Sequence, residues 1–157
     1  MATQNAINNY GIPAGKRIIQ DTGPIEYDPS AAQTLTTTFA DVNGSDYSFT
    51  PVSGSSVLLY RLSFQHSVTA ANDGNTNFQL LVDGSVETES ICAMSMETTN
   101  IFSQQFENYR YTIQSWGTSA KTVKMQAKEN AAGVDVKLHA TYAGELVRAT
   151  LQITEYL

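Results

Sequence analysis

The chain of 157 residues is predicted to be an all-β protein, a sandwich or barrel of short antiparallel strands behind an extended N-terminal arm. From about residue 33 onward, apolar and polar residues alternate, which is typical of strands with one buried face. Clusters of Gly, Asn, Asp and Ser separate the alternating runs. Only 15% of the residues are charged, whereas long helices usually carry many Glu and Lys side chains.

Residues 1–32 differ from the rest of the chain. They hold three of the four prolines, and no helical or strand period is sustained. Turns are expected at residues 13–15 and at Gly23-Pro24. We interpret this segment as an extended arm beside a domain of residues 33–157. Because it has so little core of its own, we expect it to lie against another surface, which is either its own domain or, as we favour, a neighbouring subunit. The apolar residues expected to contact that partner are Tyr10, Ile12, Pro13, Ile18, Ile19, Ile25 and Tyr27.

Six alternating runs predict the strands of the domain. In each run the apolar residues occupy every second position, so that they share one face of the strand. His66 falls on the apolar side of its run, whereas His139 falls on the polar side. The runs are Leu58–Val68, Phe78–Val82, Tyr109–Ile113, Val123–Ala127, Val134–Ala140 and Val147–Ile153.

The turns between these runs are predicted from Gly, Asn, Asp and Ser clusters. Asp83-Gly84 is the strongest of them, because a two-residue hairpin turn needs a positive φ at both positions. Residues 91–106 show no clear period and fit a bulged strand, a long loop or a short helix. The other turn clusters lie at residues 43–45, 53–55, 71–75, 117–119 and 132–133.

Charge and cysteine content exclude several classes of protein. The net charge is −6 and Lys16-Arg17 is the only adjacent basic pair, which disfavours binding to nucleic acids or anionic membranes. No run approaches the roughly 20 apolar residues of a membrane helix. The first residues resemble no signal peptide, so we expect a soluble protein made in a cytoplasm. Cys92 is the only cysteine, which rules out an internal disulfide.

No catalytic constellation is found, and we expect a protein that is not an enzyme. Nucleophilic catalysis needs a Ser or Cys, a His and an orienting acid in contact. We expect His66 to be buried in the core or an interface, His139 to be solvated, and Cys92 to be a small buried apolar residue. Glu87 and Glu89 would share one face of a strand, but no cleft is indicated that would separate their pKa values.

No metal site or cofactor site is predicted either. Cys and His at zinc-finger spacing are absent from the sequence. The loop at residues 72–77 offers oxygen ligands for Ca²⁺ but lacks the further carboxylates of a hand-type loop, so we interpret it as a turn.

Three aromatic residues near the middle of the chain allow two interpretations. Tyr109, Tyr111 and Trp116 could form a stacking platform for a sugar, as in carbohydrate-binding sandwiches. Alternatively, the two tyrosines line the core or an interface between subunits, which is the interpretation that we favour.

The order of strands and turns resembles a known family. The features that carry the resemblance run from residues 36–51 through 54–59, 77–84 and 122–126 to the closing run at 149–155. Together they resemble the small jelly-roll domains of tailed-bacteriophage virion proteins, which are similar to the tumour-necrosis-factor-like jelly roll. The resemblance covers about residues 33–157.

This resemblance implies a viral structural role. Such domains occur in head decoration (cement) proteins and in head and tail fibres, and they commonly assemble around a threefold axis. It therefore implies a homotrimer on the capsid surface of a virion, bound to the major capsid protein or another virion protein through the N-terminal arm. The alternative is a fibre or tip domain that binds a host receptor or glycan.

Overall fold

The computed structural model describes residues 15–68, 74–96, 103–133 and 135–157. These residues form thirteen strands and one short 3-10 helix, Thr88–Ser90. Within this part of the chain, no helix has the length and apolar character needed to cross a membrane. The strands are β1 (Ile18–Asp21), β2 (Ile25–Tyr27), β3 (Gln33–Thr34), β4 (Ala40–Asp41), β5 (Tyr47–Phe49), β6 (Val57–Val68), β7 (Gly74–Val82), β8 (Ser85–Val86), β9 (Cys92–Met96), β10 (Ser103–Ile113), β11 (Lys121–Glu129), β12 (Val136–Leu138) and β13 (Ala149–Tyr156).

The strands form two antiparallel sheets, one of seven strands and one of six. Several short strands lie end to end, so each sheet has four rows. In the first sheet, β1, β2 and β3 form an edge row, β13 and β12 the next, then β6, and β10 forms the opposite edge. In the second sheet, the rows are β4 with β5, then β11, then β7, and finally β8 with β9.

This row order is that of a jelly roll. Numbered along the chain, the rows of the first sheet run 1-8-3-6 and those of the second run 2-7-4-5. Two interlocked Greek keys give this order. The predicted fold class, an all-β antiparallel sandwich of the jelly-roll type, is confirmed.

The core lies between the two sheets and follows the predicted alternation. Leu58, Tyr60, Leu62 and Phe64 of β6 are all fully buried. The ring of Phe64 lies 5.6 Å from that of Phe78 on the facing sheet. The period-two pattern therefore locates the buried face correctly for the longest strand.

The turn between β7 and β8 has the predicted chemistry. Asp83 and Gly84 have φ values of 49° and 79°, which are the positive values that a two-residue hairpin of this type requires. The Asp83 carboxylate also accepts a hydrogen bond of 2.8 Å from the backbone N–H of Thr122. This bond ties the hairpin to β11, the adjacent row of the sheet.

The predicted arm needs a correction, because part of it belongs to the sandwich. β1 and β2 pair with β13 of the same chain, so the boundary expected between residues 32 and 33 does not separate them from the domain. These strands have four and three residues, too few for a recognisable period. The expected turn at Gly23-Pro24 lies between them, and the Gly23 N–H donates to the Asp21 carboxylate at 2.7 Å.

The ambiguous stretch at residues 91–106 is largely strand where the structure describes it. β9 covers Cys92–Met96 and β10 begins at Ser103, whereas residues 97–102 lie outside the described part. Glu87 and Glu89 do not share a strand face as expected. Glu87 follows β8, and Glu89 lies in the 3-10 helix.

Candidate functional site

Of the four predicted arm residues that the structure describes, two are committed to their own subunit. Ile25 and Tyr27 pack against the main core. A Cβ atom at Gly44 would overlap the Tyr27 ring, which shows how closely β2 is seated. Ile18, in contrast, is 52% exposed. Ile19 is partly buried. Tyr10, Ile12 and Pro13 lie outside the described residues.

Exposed apolar residues lie on both faces of the first sheet where β1 begins. Arg17 and Leu157 exchange two backbone hydrogen bonds of 2.9 Å, and the next pair is Ile18 with Tyr156, so the exposed side chains of Ile18 and Leu157 lie close together on opposite faces. The exposed residue Val52 is held near them, because its N–H donates to the Glu155 carboxylate of β13 at 2.9 Å. We call Ile18, Val52 and Leu157 the N-terminal surface.

A groove of about 490 Å³ opens at the other edge of the first sheet, between the two sheets. One wall is formed by Glu89–Cys92 and Met94, from the 3-10 helix and β9. The other wall is residues 108–111 of β10. Because these four residues are consecutive, the groove borders the edge of the strand and not only one face of it. We call it the edge groove.

The floor of the edge groove is fixed by a buried hydrogen bond. The Tyr109 hydroxyl donates to the backbone carbonyl of Ser90 at 2.9 Å, which joins β10 to the 3-10 helix. Burial holds the pKa of Tyr109 well above its usual value. Burial also raises the pKa of Tyr111, and the nearby carboxylates of Glu87 and Glu89 raise it further. Both tyrosines therefore stay neutral hydrogen-bonding groups at ordinary pH.

The three aromatic residues do not form an exposed platform. Tyr109 and Trp116 are each only 4% exposed and belong to the main core. Trp116 sits between Ser115 and Gly117, both at positive φ, and its indole N–H donates to the Ser119 carbonyl at 3.2 Å. Tyr111 alone is partly exposed, and it lines the edge groove.

His66 belongs to a buried polar cluster that the sequence reveals only in part. Its Nε2 lies 2.9 Å from the Thr76 hydroxyl and its Nδ1 lies 3.4 Å from the Glu107 carboxylate. The hydrogen bond from His66 lowers the pKa of Glu107, and Gln105 also donates to this carboxylate. These contacts join a hydroxyl, an imidazole and a carboxylate, but Thr76 is fully buried, so its hydroxyl is not accessible to a substrate. The inward position predicted for His66 is confirmed.

His139 is buried, although the sequence predicts it to be solvated. Its φ is 62°, which interrupts the strand alternation and turns both His139 and Ala140 inward. The ring packs against Tyr27 and Phe64 at centroid distances of 5.4 and 6.3 Å, and neither ring nitrogen has a hydrogen-bond partner. Burial lowers its pKa from 6.5 to about 4. The nearby backbone of Asn43, which makes no hydrogen bond of normal geometry with the ring, opposes this shift only in part.

Metal-ligand chemistry is not assembled in the described residues. Across residues 15–68, 74–96, 103–133 and 135–157, no group of three or more His, Cys, Asp or Glu side chains is placed to hold a metal ion. The loop at residues 72–77 lies partly outside these ranges. Cys92 is half-buried in the edge groove, and burial together with Glu107 raises the pKa of its thiol.

Sequence comparisons give no relative. No protein-family model matches the chain, and no curated protein matches it significantly.

Comparisons of structure find β-rich proteins at low similarity. Dimeric latent PorU from Porphyromonas gingivalis is 12% identical with a TM-score of 0.49, over 86% of this chain and 12% of that one. A family 35 carbohydrate-binding module from Clostridium thermocellum is 14% identical with a TM-score of 0.27, over 89% and 98%. Infectious bursal disease virus, Gx strain, is 9% identical with a TM-score of 0.31, over 87% and 40%.

The matched part is usually a small share of the larger protein. This chain spans 12% of the length of PorU and 40% of that of the viral protein. These likenesses extend no further than fold, and the jelly-roll assignment rests on the strand order itself.

Proposed function

We propose that this protein is a virion structural protein, a decoration protein that binds the outer surface of a capsid as a homotrimer. The observation that carries the proposal is the N-terminal surface, where exposed Ile18 and Leu157 lie beside the point at which the N-terminal segment joins the sandwich. Exposed apolar side chains at the start of β1, next to a sequence segment with few apolar residues, are suited to contact with another protein. The resemblance to virion jelly rolls supplies the kind of partner.

The distribution of chemical groups agrees with a binding role. His66 and His139 are both buried, and Cys92 has a raised pKa. A protein that works through contact surfaces needs neither an activated nucleophile nor a general base at its surface.

The test is loading onto particles that lack the protein. Deletion of residues 2–14 leaves every described strand in place, whereas a deletion reaching residue 30 would remove β1 and β2. We expect the shorter deletion to reduce the number of copies bound per particle at saturation, measured against the major shell protein. A double substitution, Ile18→Asp with Leu157→Asp, should do the same if the N-terminal surface faces the shell.

Control variants separate this effect from a general loss of solubility or folding. Val86→Asp places a carboxylate at another exposed valine, outside the N-terminal surface, and should load normally. Full occupancy by both the deletion and the double variant would rule out this mode of attachment.

A receptor-binding fibre domain that recognises a glycan is the second candidate, and the edge groove favours it. Partly exposed Tyr111 offers a ring for stacking, and Asn108 and Arg110 in the same groove offer hydrogen-bond donors. A glycan-array signal lost in Tyr111→Ala, but kept in a variant of the exposed Tyr142, would support this function. Trp116→Ala is not a suitable test, because Trp116 is buried in the core.

A further inference from the structure

We propose that the edge groove receives the N-terminal segment, residues 2–14, of a second copy of this chain, which adds a strand beside β10. The inference rests on the proposed function as an oligomeric structural protein, and it names the contact that joins the copies. It leaves the N-terminal surface available to face the shell.

The edge of β10 offers a long template for such a strand. β10 has 11 residues, and in the described part of the chain it pairs only with β6, on one side. Natural proteins usually shorten, bend or cover an edge of this length, because its backbone groups can pair with another chain. Addition of an extended segment to a sheet edge is a common mode of peptide recognition.

The groove beside that edge can hold apolar side chains. Ile91 is 50% exposed at its rim, and Met94 and Tyr111 are partly exposed within it. In β-strand addition, backbone hydrogen bonds give affinity and pockets for alternate side chains give specificity. The groove provides both features side by side.

The N-terminal segment has suitable chemistry for this site. Residues 2–14 contain no charged side chain, so their burial desolvates no ion. Tyr10 and Ile12 are two positions apart, which places them on the same side of an extended strand. Pro13 follows at once and has no backbone N–H, so it fits the end of a paired stretch.

The distance favours a second copy over the same chain. The segment joins the first sheet at β1, three rows from β10, which is about 14 Å across the sheet at about 4.8 Å per row. The groove also lies about four residues further along the strands, so the straight path is roughly 20 Å before the chain turns over the edge. Five extended residues, from Ile12 to Arg17, span at most about 17 Å. This length is too short to bring Ile12 to the groove of its own subunit, whereas the groove of a neighbouring copy is not subject to the same limit.

The proposed contact is head-to-tail, since it joins an N-terminal segment to a different surface of the next copy. Head-to-tail contacts form a ring when the rotation between copies closes, and three copies satisfy closure as a trimer. The symmetry expected from the family resemblance then has a physical source.

Cys92 allows a direct test on full-length protein, because it is the only cysteine and lines the edge groove. One chain carries Ile12→Cys together with Cys92→Ser, and it is mixed with the wild-type chain and a mild oxidant. A disulfide needs Cβ atoms within about 4.5 Å, so it reports close contact. We expect a two-chain band on a non-reducing gel, well above the yield of either chain oxidised alone.

Two matched controls make the result specific. Thr3→Cys with Cys92→Ser places the thiol at the other end of the segment, far from Cys92 of the neighbour, and should give a several-fold lower yield. In the wild-type partner, Ile91→Asp should lower the yield, whereas Val86→Asp should leave it unchanged.

Three results would overturn the inference. The first is an equal yield of disulfide from the two thiol positions, and the second is the absence of a two-chain band above background. The third is an intramolecular disulfide in the Ile12→Cys variant that keeps Cys92, formed at a yield that does not change on dilution. The last would show that the segment returns to its own groove. Because no particle is present, none of these results bears on attachment to a shell. Loading of the Ile18→Asp, Leu157→Asp variant measures that attachment separately, because this variant keeps residues 2–14 intact, whereas the deletion removes the segment proposed to join the copies.

Discussion

Buried His139 is expected to make the protein less stable in mild acid, and replacing it should remove that dependence. Its side chain is 0% exposed and its ring nitrogens have no hydrogen-bond partner. Protonation would place a charge between the rings of Tyr27 and Phe64, where no carboxylate of the described residues pairs with it. We therefore expect the neutral imidazole in the folded protein down to low pH.

The size and sign of the effect follow from the two pKa values. The folded-state pKa of about 4 lies below the ordinary 6.5 of the unfolded chain, so the unfolded state binds the proton first. The contribution of His139 to stability is complete above pH 6.5, falls as the pH drops, and is lost below pH 4. The two pKa values of His139 differ by about 2.5 pH units, which corresponds to about 3 kcal/mol in the free energy of unfolding. About 2 kcal/mol of this is lost between about pH 7.5 and 5.

The assay is urea unfolding of the wild type and of His139→Leu at several pH values in that window. Leucine at a φ of 62° lowers the free energy of unfolding, but by an amount that does not depend on pH. The comparison therefore uses only the slope of the free energy of unfolding against pH. Asp41 and Glu107, whose pKa values are lowered by their partners, stabilise the fold above their ordinary pKa values of 3.8 and 4.5. Their contributions are lost only at lower pH, so they scarcely affect this window.

Leu138→Ala is the matched control, because Leu138 is the adjacent buried residue and the variant keeps His139. It should lower stability by about 2–5 kcal/mol at every pH and keep the wild-type slope. A slope as steep in His139→Leu as in the wild type would refute the assignment of the acid sensitivity to His139.

Three further predictions concern the stability of the fold, and each is checked by chemical denaturation. Gly44→Ala should cost about 2 kcal/mol or more, because the new Cβ meets the Tyr27 ring at a positive φ, whereas Gly117→Ala, at a positive φ with open space around it, should cost about 1 kcal/mol. Glu155→Gln should cost about 1–3 kcal/mol, since its buried carboxylate accepts two loop N–H groups at 2.9 and 3.0 Å. Arg148→Ala should change stability by less than about 1 kcal/mol, although it pairs with two carboxylates, because all three groups are exposed.

The sequence was sufficient to predict the strands that bury the whole of one face. In β6 and β11 the apolar residues keep strict alternation over at least five positions, and the hairpin at Asp83-Gly84 is encoded by the two residues that form it. Such features depend on neighbours in the chain, and local patterns record them directly.

The sequence was not sufficient where the backbone departs from a regular strand. A single positive φ at His139 reverses the predicted direction of its side chain. Positive φ at Ser115 and Gly117 similarly places Trp116 in the core. Glycine signals such backbone in advance, but Ser and His do so only weakly.

The candidate site depends on contacts between distant parts of the chain. The edge groove forms because residues 89–94 of one sheet lie beside residues 108–111 of the other. Neither stretch is distinctive in the sequence, and only the strand order brings them together. The partner residues Tyr10, Ile12 and Pro13 remain predictions, as do the trimer and the virion location.

The row formed by β13 has a consequence for how the molecule is made. β13 lies between β6 and the pair β1 and β2, yet it begins only at Ala149, whereas β2 ends at Tyr27 and β6 at Val68. During synthesis, β1 and β2 have no strand to pair with until β13 has left the ribosome. Assembly of the first sheet is therefore a late, cooperative event, and its slow loop closures should govern the folding rate.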